Sequence, residues 1–377
     1  MEVFVLLLIM LTLVAVQSLI YKKFSFKKLD YRCDFNVDEA FEGDEIILTE
    51  TVENRKWLPL PWFKSELTIP KWLVFADAQS VVTYRTRFVP SFFLIRGHKR
   101  VTRRWKVTCA RRGVFKIETI VLVSTDLFGS RTVSKSIPSN CQITVLPASF
   151  PLAETFVRSN RLTGDFPVRF QLVYDPFLVS GVREYLPSDP MKQIHWNSTA
   201  KIGHIMVRNQ DFSVCRSVMI LLNLQSREYE YDQREPVDPD GVENCIRTAA
   251  SVLEEAFKNS VPVGLAVNQK REKSNEVVKL YKAGLGREHV LNLLRILAAL
   301  PEGGAPDFSK WLEQLVVDPE ITDMILITTY VSKEIFRFCR KKKEEGKSVR
   351  ILLLRAEGAE IPEDCDVYVI REELVKM

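Results

Sequence analysis

The chain opens with an unbroken apolar run from Val3 to Ile20, VFVLLLIMLTLVAVQSLI, in which only Thr12, Gln17 and Ser18 are polar. That is close to the ~20 residues needed to cross a hydrocarbon core, and the run is apolar all round rather than along one stripe. The pattern predicts a transmembrane helix over residues 1–21. A cleavable signal peptide fits less well, because the chain starts Met1-Glu2 without a positive n-region and Ala15-Val16-Gln17 is a poor cleavage site. A helix buried in a protein core is the remaining alternative, and it ranks below a span because the run is apolar all round.

From residue 29 to 148 the periodicity is that of strands. Glu45 to Val52 alternates after the turn Gly43-Asp44, and Trp105, Val107 and Cys109 alternate before the turn Arg111-Arg112-Gly113. Further runs lie at Phe115 to Val123 and Gln142 to Leu146, while Pro59 and Pro61 suit a loop or a sheet edge. Short strands at this spacing predict a β-sandwich of immunoglobulin type. Beyond residue 214 apolar strands alternate with amphipathic helices, which predicts a doubly wound α/β domain over 214–377. Its strands are expected at Val218 to Leu224, Val261 to Val267, Met324 to Thr328, Val349 to Leu354 and Val367 to Ile370. Helices are expected from a capping box at Asp240 and Glu243 to about Asn259, and at Arg287 to Leu300, Phe308 to Val317 and Lys333 to Glu345. Residues 149–213 form a linker region between the two domains.

Composition sharpens this picture modestly. With 377 residues, 46% hydrophobic and 27% charged, the chain is long enough for two soluble domains and ordinary enough to fold them. A net charge of +5 is too slight for a nucleic-acid-binding domain. Seven scattered cysteines, without a CxxC pair, read as reduced core residues. Lys22, Lys23, Lys27 and Lys28 follow the apolar run directly, which places the body on the cytoplasmic side of a single-pass span, with the N-terminus outside.

Candidate chemistry is sparse. There is no GxxxxGK[ST], GxSxG or HExxH, and His98, His195, His204 and His289 lack the spacing of metal ligands on a helix. The basic stretch Arg96 to Arg112 suits either anionic lipid and phosphate or, more simply, the solvated face of a strand. Polar and aromatic residues concentrate at Gly181 to Asp211. A hydrolase or transferase reading would take His195 as base, Asp189 as its orienter and Ser198 as nucleophile. The structural reading makes Pro187 to Pro190 a turn, lets Asp189 cap the segment Met191 to Ala200, pairs Arg183 with Glu184, and buries Trp196 against the core.

The residues Arg183, Glu184, Tyr185, Pro187, Asp189, Ile194, Trp196 and Ala200, followed by Val207 and Arg208, resemble the hallmark of a bacterial and archaeal family called domain of unknown function 58. Arg111-Arg112-Gly113-Val114-Phe115 and Asp126-Leu127-Phe128-Gly129 extend the resemblance upstream, so that it spans nearly the whole chain. Ser188, Lys192, His195, Thr199 and Lys201 depart from the pattern, His195 standing where the family has an acid. The resemblance implies a C-terminal domain like that of von Willebrand factor A. It also implies work beside a MoxR-type AAA+ ATPase and transglutaminase-like membrane proteins. Metal-binding domains of that kind hold a cation on D-x-S-x-S, a Thr and an Asp. Here the corresponding positions are Asn223, Gln225, Ser226 and Thr328, with Arg227 alongside and no acid after Thr328-Thr329-Tyr330, so a neutral set without metal or cofactor is expected. The functional expectation is a membrane-anchored, non-catalytic scaffold or adaptor. The alternatives are the enzyme centred on His195 and an anionic-lipid-binding module.

Overall fold

A computed structural model describes residues 2–76, 79–152, 156–158, 173–186, 191, 194–213, 217–230, 236–269, 279–301, 303–355 and 361–370. The chain divides into two compact units, one formed by residues 1–148 with 294–300 and the other by 149–293 with 301–377.

The first unit begins with helix α1 (Glu2–Phe24), whose segment Val3–Phe24 has a mean hydropathy of 2.8 and is long and apolar enough to cross a membrane. The helix is docked at its C-terminal end. Tyr21 is buried within the sandwich core, its hydroxyl donates to the carbonyl of Pro59 at 2.9 Å, and Ile20, Phe26 and Leu29 pack against the same core. Lys56 Nζ donates to the carbonyls of Ser25 at 2.5 Å and Lys27 at 3.2 Å, tying the segment after the helix to the same loop.

The sandwich strands are β1 (Leu29–Phe35), β2 (Glu39–Phe41), β3 (Glu45–Asn54), β4 (Leu60–Pro70), β5 (Leu73–Phe75), β6 (Val81–Val82), β7 (Thr86–Ile95), β8 (Lys99–Cys109), β9 (Gly113–Thr125) and β10 (Thr132–Leu146). They form a sheet ordered β1-β3-β8-β5 and a second ordered β2-β10-β9-β4-β7-β6. The period-two pattern does its expected work: on β3, Ile46, Leu48, Glu50, Val52 and Asn54 all face inward. Glu50 is the surprise in that row. Its carboxylate is fully buried and accepts four hydrogen bonds, from Tyr31 (2.5 Å), Ser65 (2.6 Å), Ser91 (2.5 Å) and Trp105 Nε1 (2.6 Å). A charge removed from water persists only when hydrogen-bonded in this way.

Two sequence expectations need correction here. Pro61 lies inside β4, which pairs with strands on both sides, rather than in a loop or at an edge. The ladder tolerates it because the register with β7 shifts between Leu60 and Phe63, so no hydrogen bond is asked of its missing N–H. The basic strand β8 also departs from a uniformly solvated face. Arg100, Arg104 and Lys106 are exposed, but Arg103 turns inward over the rings of Phe93 and Trp105, 4.8 and 5.4 Å from their centroids. Its stem covers aromatic surface while Nη2 donates to the carbonyl of Phe92 at 2.7 Å.

The second unit contains β11 (Phe156–Arg158), β12 (Val173–Glu184), α2 (Trp196–Ile202), β13 (Met206–Ser213), β14 (Ser217–Leu222), α3 (Pro239–Lys258), β15 (Val263–Val267), β16 (Lys279–Gly284), the start of α4 (Arg287–Ala298), whose residues from Leu294 on belong to the first unit, α5 (Phe308–Gln314), β17 (Ile321–Thr328), α6 (Lys333–Glu344), β18 (Ser348–Leu353) and β19 (Asp366–Ile370). Seven strands form a sheet ordered β11-β19-β18-β17-β14-β15-β16, parallel from β19 to β15 and antiparallel at both edges. The parallel strands begin at β14, from which the chain moves outward to β15 and β16 and then returns to β17 on the other side of β14. In doubly wound sheets such a reversal marks the crevice outside the carboxyl ends of the strands, here those of β14 and β17, as the ordinary ligand position. The expected linker is itself structured, since β12 and β13 pair antiparallel and β11 joins the main sheet. Helix α3 starts one residue before its expected capping box. Asp238, not Asp240, accepts from the N–H of Gly241 at 3.2 Å, and Pro239 occupies the first turn, where its missing N–H is harmless.

Candidate functional site

The crevice at the carboxyl ends of β14 and β17 brings together all four residues expected to mark a lapsed metal site. Each is engaged with protein. Asn223 Nδ2 donates to Thr328 Oγ1 at 3.1 Å, while Asn223 Oδ1 accepts from the N–H of Gln225 at 3.0 Å and from Asn268 Nδ2 at 3.1 Å. Gln225 Oε1 accepts from the N–H of Phe308 at 2.7 Å and from the Tyr330 hydroxyl at 3.2 Å. Its Nε2 is buried with no hydrogen-bond partner among the described residues. Thr329 Oγ1 closes the loop by donating to the carbonyls of Gln225 and Ser226, at 3.1 and 2.9 Å. Burial pushes the Tyr330 phenol well above its usual range, so it remains a donor.

Two carboxyl groups outside the expected neutral set lie beside it. Ser226 Oγ is hydrogen-bonded to the buried carboxylate of Glu230 and accepts from the N–H of Asp238 at 3.1 Å. Asp238 is in turn paired with Arg355 at 2.9 Å. Glu230 also accepts from the N–H of Val237, while Arg227 is exposed. Sequence reasoning missed Glu230, Asp238 and Asn268 because none belongs to the strand-end motif. The signal that could have found Asp238 was Asp-Pro at 238–239, a helix start preceding the predicted one. Among the described residues no group of three or more His, Cys, Asp and Glu side chains is arranged to hold a metal.

The signature segment is built differently from its expected form. Tyr185 N–H donates to the carbonyl of Ile205 at 2.9 Å, and Ile194 is buried beside Val207, with which it forms an isolated bridge. Arg183 donates to the backbone carbonyl of Glu184 at 3.1 Å. Arg208 pairs with Val182 in the β12–β13 register. Helix α2 is capped by His195, whose Nδ1 accepts from the N–H of Ser198 at 3.2 Å and lies 2.8 Å from Ser198 Oγ. Thr199 Oγ1 links the helix to the hairpin by accepting from the N–H of Met206 at 3.0 Å. Trp196 is 68% exposed, not buried, because the first helical position turns it away from the hairpin, and Ala200 is exposed with it. Pro187 and Asp189 lie outside the described residues, so the proposed cap and turn there do too. Of the enzyme-like trio, the structure brings His195 and Ser198 together.

A β-rich unit followed by a doubly wound α/β unit with a hydrogen-bonded crevice defines a mixed α/β, two-unit protein. The family described as "Protein of unknown function DUF58" matches residues 181–374, more than half of the sequence, and the chain belongs to that family. It is similar to the uncharacterized protein YeaD of Bacillus subtilis (strain 168), 19% identical over 335 residues that cover 87% of this chain and 76% of that one. A non-cellulosomal cohesin of Archaeoglobus fulgidus aligns with 32% of this chain and 92% of its own, at 17% identity and a TM-score of 0.21. The CARDB domain of the PF1109 protein of Pyrococcus furiosus aligns with 32% and 96%, at 13% identity and a TM-score of 0.21.

Proposed function

We propose that this chain is a membrane-anchored, non-catalytic scaffold or adaptor. In this reading α1 spans the bilayer once, the lysines at 22, 23, 27 and 28 keep the body on the cytoplasmic side, and the α/β unit is of von Willebrand factor A type. The unit binds protein partners through the rim of its crevice without a metal. A MoxR-type AAA+ ATPase is the partner that the resemblance implies, with transglutaminase-like membrane proteins as neighbours in the same assembly.

The observation that carries the reading is the state of Asn223. Both of its polar atoms are committed to Thr328, Gln225 and Asn268, where a cation would need oxygen lone pairs, including those of a carboxylate. Such a cluster is a fixed, buried polar floor, which leaves recognition to the exposed side chains of the rim, Arg227 and Tyr229 among them. The test uses the full chain in vesicles with a purified MoxR-type ATPase. Co-flotation that persists in EDTA supports the reading, and loss of binding in EDTA or absence of binding overturns it.

One observation favours a second reading, a hydrolase or transferase on α2: His195 Nδ1 and Ser198 Oγ are 2.8 Å apart. The same nitrogen caps the helix through the N–H of Ser198, which accounts for the contact without catalysis. Labelling of Ser198 by a fluorophosphonate, abolished in His195→Ala, would establish the enzyme instead.

A further inference from the structure

The end of the sandwich that receives α1 carries large apolar side chains that nothing in the unit covers. Trp57 is 74% exposed at the tip of the β3–β4 loop, and Leu127 and Phe128 are 50% and 69% exposed at the tip of the β9–β10 turn. Both tips are held rigidly. Gly97 of the β7–β8 turn lies so close beneath Trp57 that a Cβ there would stand 2.3 Å from the Trp57 carbonyl oxygen. Asn54 Nδ2 donates to the carbonyls of Leu58 at 2.8 Å and Arg96 at 3.2 Å. In the other turn the fully buried Asp126 accepts from the N–H of Ser130 at 2.7 Å, and Gly129 takes a positive φ of 74°, which leaves Leu127 and Phe128 pointing outward from a closed loop. These loops are built to present apolar side chains to a fixed surface.

Position along α1 says which surface. A helix rises ~1.5 Å per residue, so ~20 residues cross a ~30 Å hydrocarbon core. With Val3 at one boundary of the core, the other falls near Lys22 and Lys23. Tyr21, at that level, is bonded to Pro59, two residues from Trp57. The same level carries cations. Lys23 and Lys27 lie 5.9 and 4.9 Å from the ring of Phe24, and Arg96 and Lys99 are exposed on the neighbouring turn. Of the acidic groups nearby, Asp126 is buried and hydrogen-bonded to Ser130, Asp30 pairs with Arg32 and Arg55, and Glu53 pairs with Arg55 and Arg100, which hold the Glu53 carboxyl down to about 2. Amphipathic aromatic rings beside lysines, at the depth where hydrocarbon meets water, match the interfacial belt of membrane proteins and the charge of an anionic leaflet.

We infer that this end of the sandwich is a lipid-contact surface, with Trp57, Leu127 and Phe128 seated in the interface of an anionic leaflet and Lys22, Lys23, Lys27, Arg96 and Lys99 on its headgroups. The inference rests on the reading of α1 as a span. It divides the basic stretch in two: Arg96 and Lys99 face lipid, whereas Arg103 serves the sandwich interior.

The test places an environment-sensitive nitrobenzoxadiazole label on full-length Trp57→Cys, Phe128→Cys and Glu45→Cys chains reconstituted in phosphatidylcholine vesicles with and without phosphatidylglycerol. The native cysteines among the described residues are buried, and the unsubstituted chain provides the labelling blank. Glu45 is the control, at the opposite end of the ten-residue strand β3, ~30 Å away at ~3.3 Å per residue. Labels at 57 and 128 should show blue-shifted emission and quenching by headgroup-level nitroxide lipids, both stronger with phosphatidylglycerol, while the label at 45 shows neither. If the protein stays in the vesicles through alkaline carbonate but the three labels behave alike, the lipid-contact surface is wrong and the span stands. Release by carbonate overturns the span and the surface together. Quenching indifferent to phosphatidylglycerol overturns the assignment to an anionic leaflet.

Discussion

The indole N–H of Trp105 on β8 points at the buried carboxylate of Glu50 on β3, 2.6 Å away, and completes a set of four donors around one negative charge. Glu50→Gln keeps the shape but cannot accept from all four donors, and leaves buried groups unsatisfied at ~1–3 kcal/mol each. A loss of ~3–5 kcal/mol is expected, with Trp105→Phe costing ~1–3 kcal/mol. Urea unfolding of the full chain in detergent, followed by circular dichroism, measures both. A Glu50→Gln variant as stable as the parent would show that the carboxylate is dispensable.

Lys56 gives a pH dependence with a definite sign. Burial pushes its ammonium down from 10.5 to about 8. Between those values the unfolded chain binds more protons than the folded one, so this group's contribution to stability increases as pH rises from about 8 towards 10.5. Buried thiols pull the other way, since burial raises Cys109 to about 11 and Cys365 likewise upward. The quantity to measure is therefore the difference between the parent and Lys56→Met. The parent should gain on the variant from pH 7.5 to 9.5, and parallel profiles would refute the assignment.

Trp196→Ala is expected to change stability by no more than ~0.5 kcal/mol, because the ring is solvated. His195→Ala removes a helix cap and should cost ~0.5–2 kcal/mol. This reverses the ranking that a buried Trp196 would give. Thermal unfolding of the two variants side by side decides between them, and a severe loss for Trp196→Ala would mean that the ring is covered in solution.

In the crevice, isothermal titration of the parent with Mg²⁺ and Mn²⁺ should give no saturable heat at micromolar metal. Asn223→Asp removes the donor to Thr328 and should cost ~1–3 kcal/mol. Gly241→Ala should also destabilise, since its Cβ would meet the Asp238 carboxylate at 2.3 Å. Saturable metal binding by the parent, lost in Ser226→Ala, would overturn the reading of the crevice as metal-free.

The strands and helices were legible wherever one period dominated, as in Glu45 to Val52 or Lys333 to Glu345. Antiparallel β16 went unread because its six residues offer no long apolar run beside the strong pattern of β15. Trp196 was misplaced because an aromatic residue in a dense motif looks like core, while the direction of the first turn of α2 depends on the hairpin that receives it. The crevice was half legible. Asn223, Gln225, Ser226 and Thr328 were marked by the family resemblance, whereas Glu230 and Asp238 join them through the loop after β14 and Asn268 through the sheet order. Glu50 was visible in principle as a charge on the inward parity of β3. Its four donors come from four different strands, and no local pattern announces them.

Tyr21 is at once the last full turn of α1 and a member of the sandwich core. The helix is therefore no slack leash. Force applied to the sandwich passes into α1 through a buried phenol and the ammonium of Lys56, with no loose peptide to absorb it. In the proposed bilayer-spanning arrangement, tilting the helix and turning the sandwich would be one motion, and a pull on the body would reach the lipid as torque.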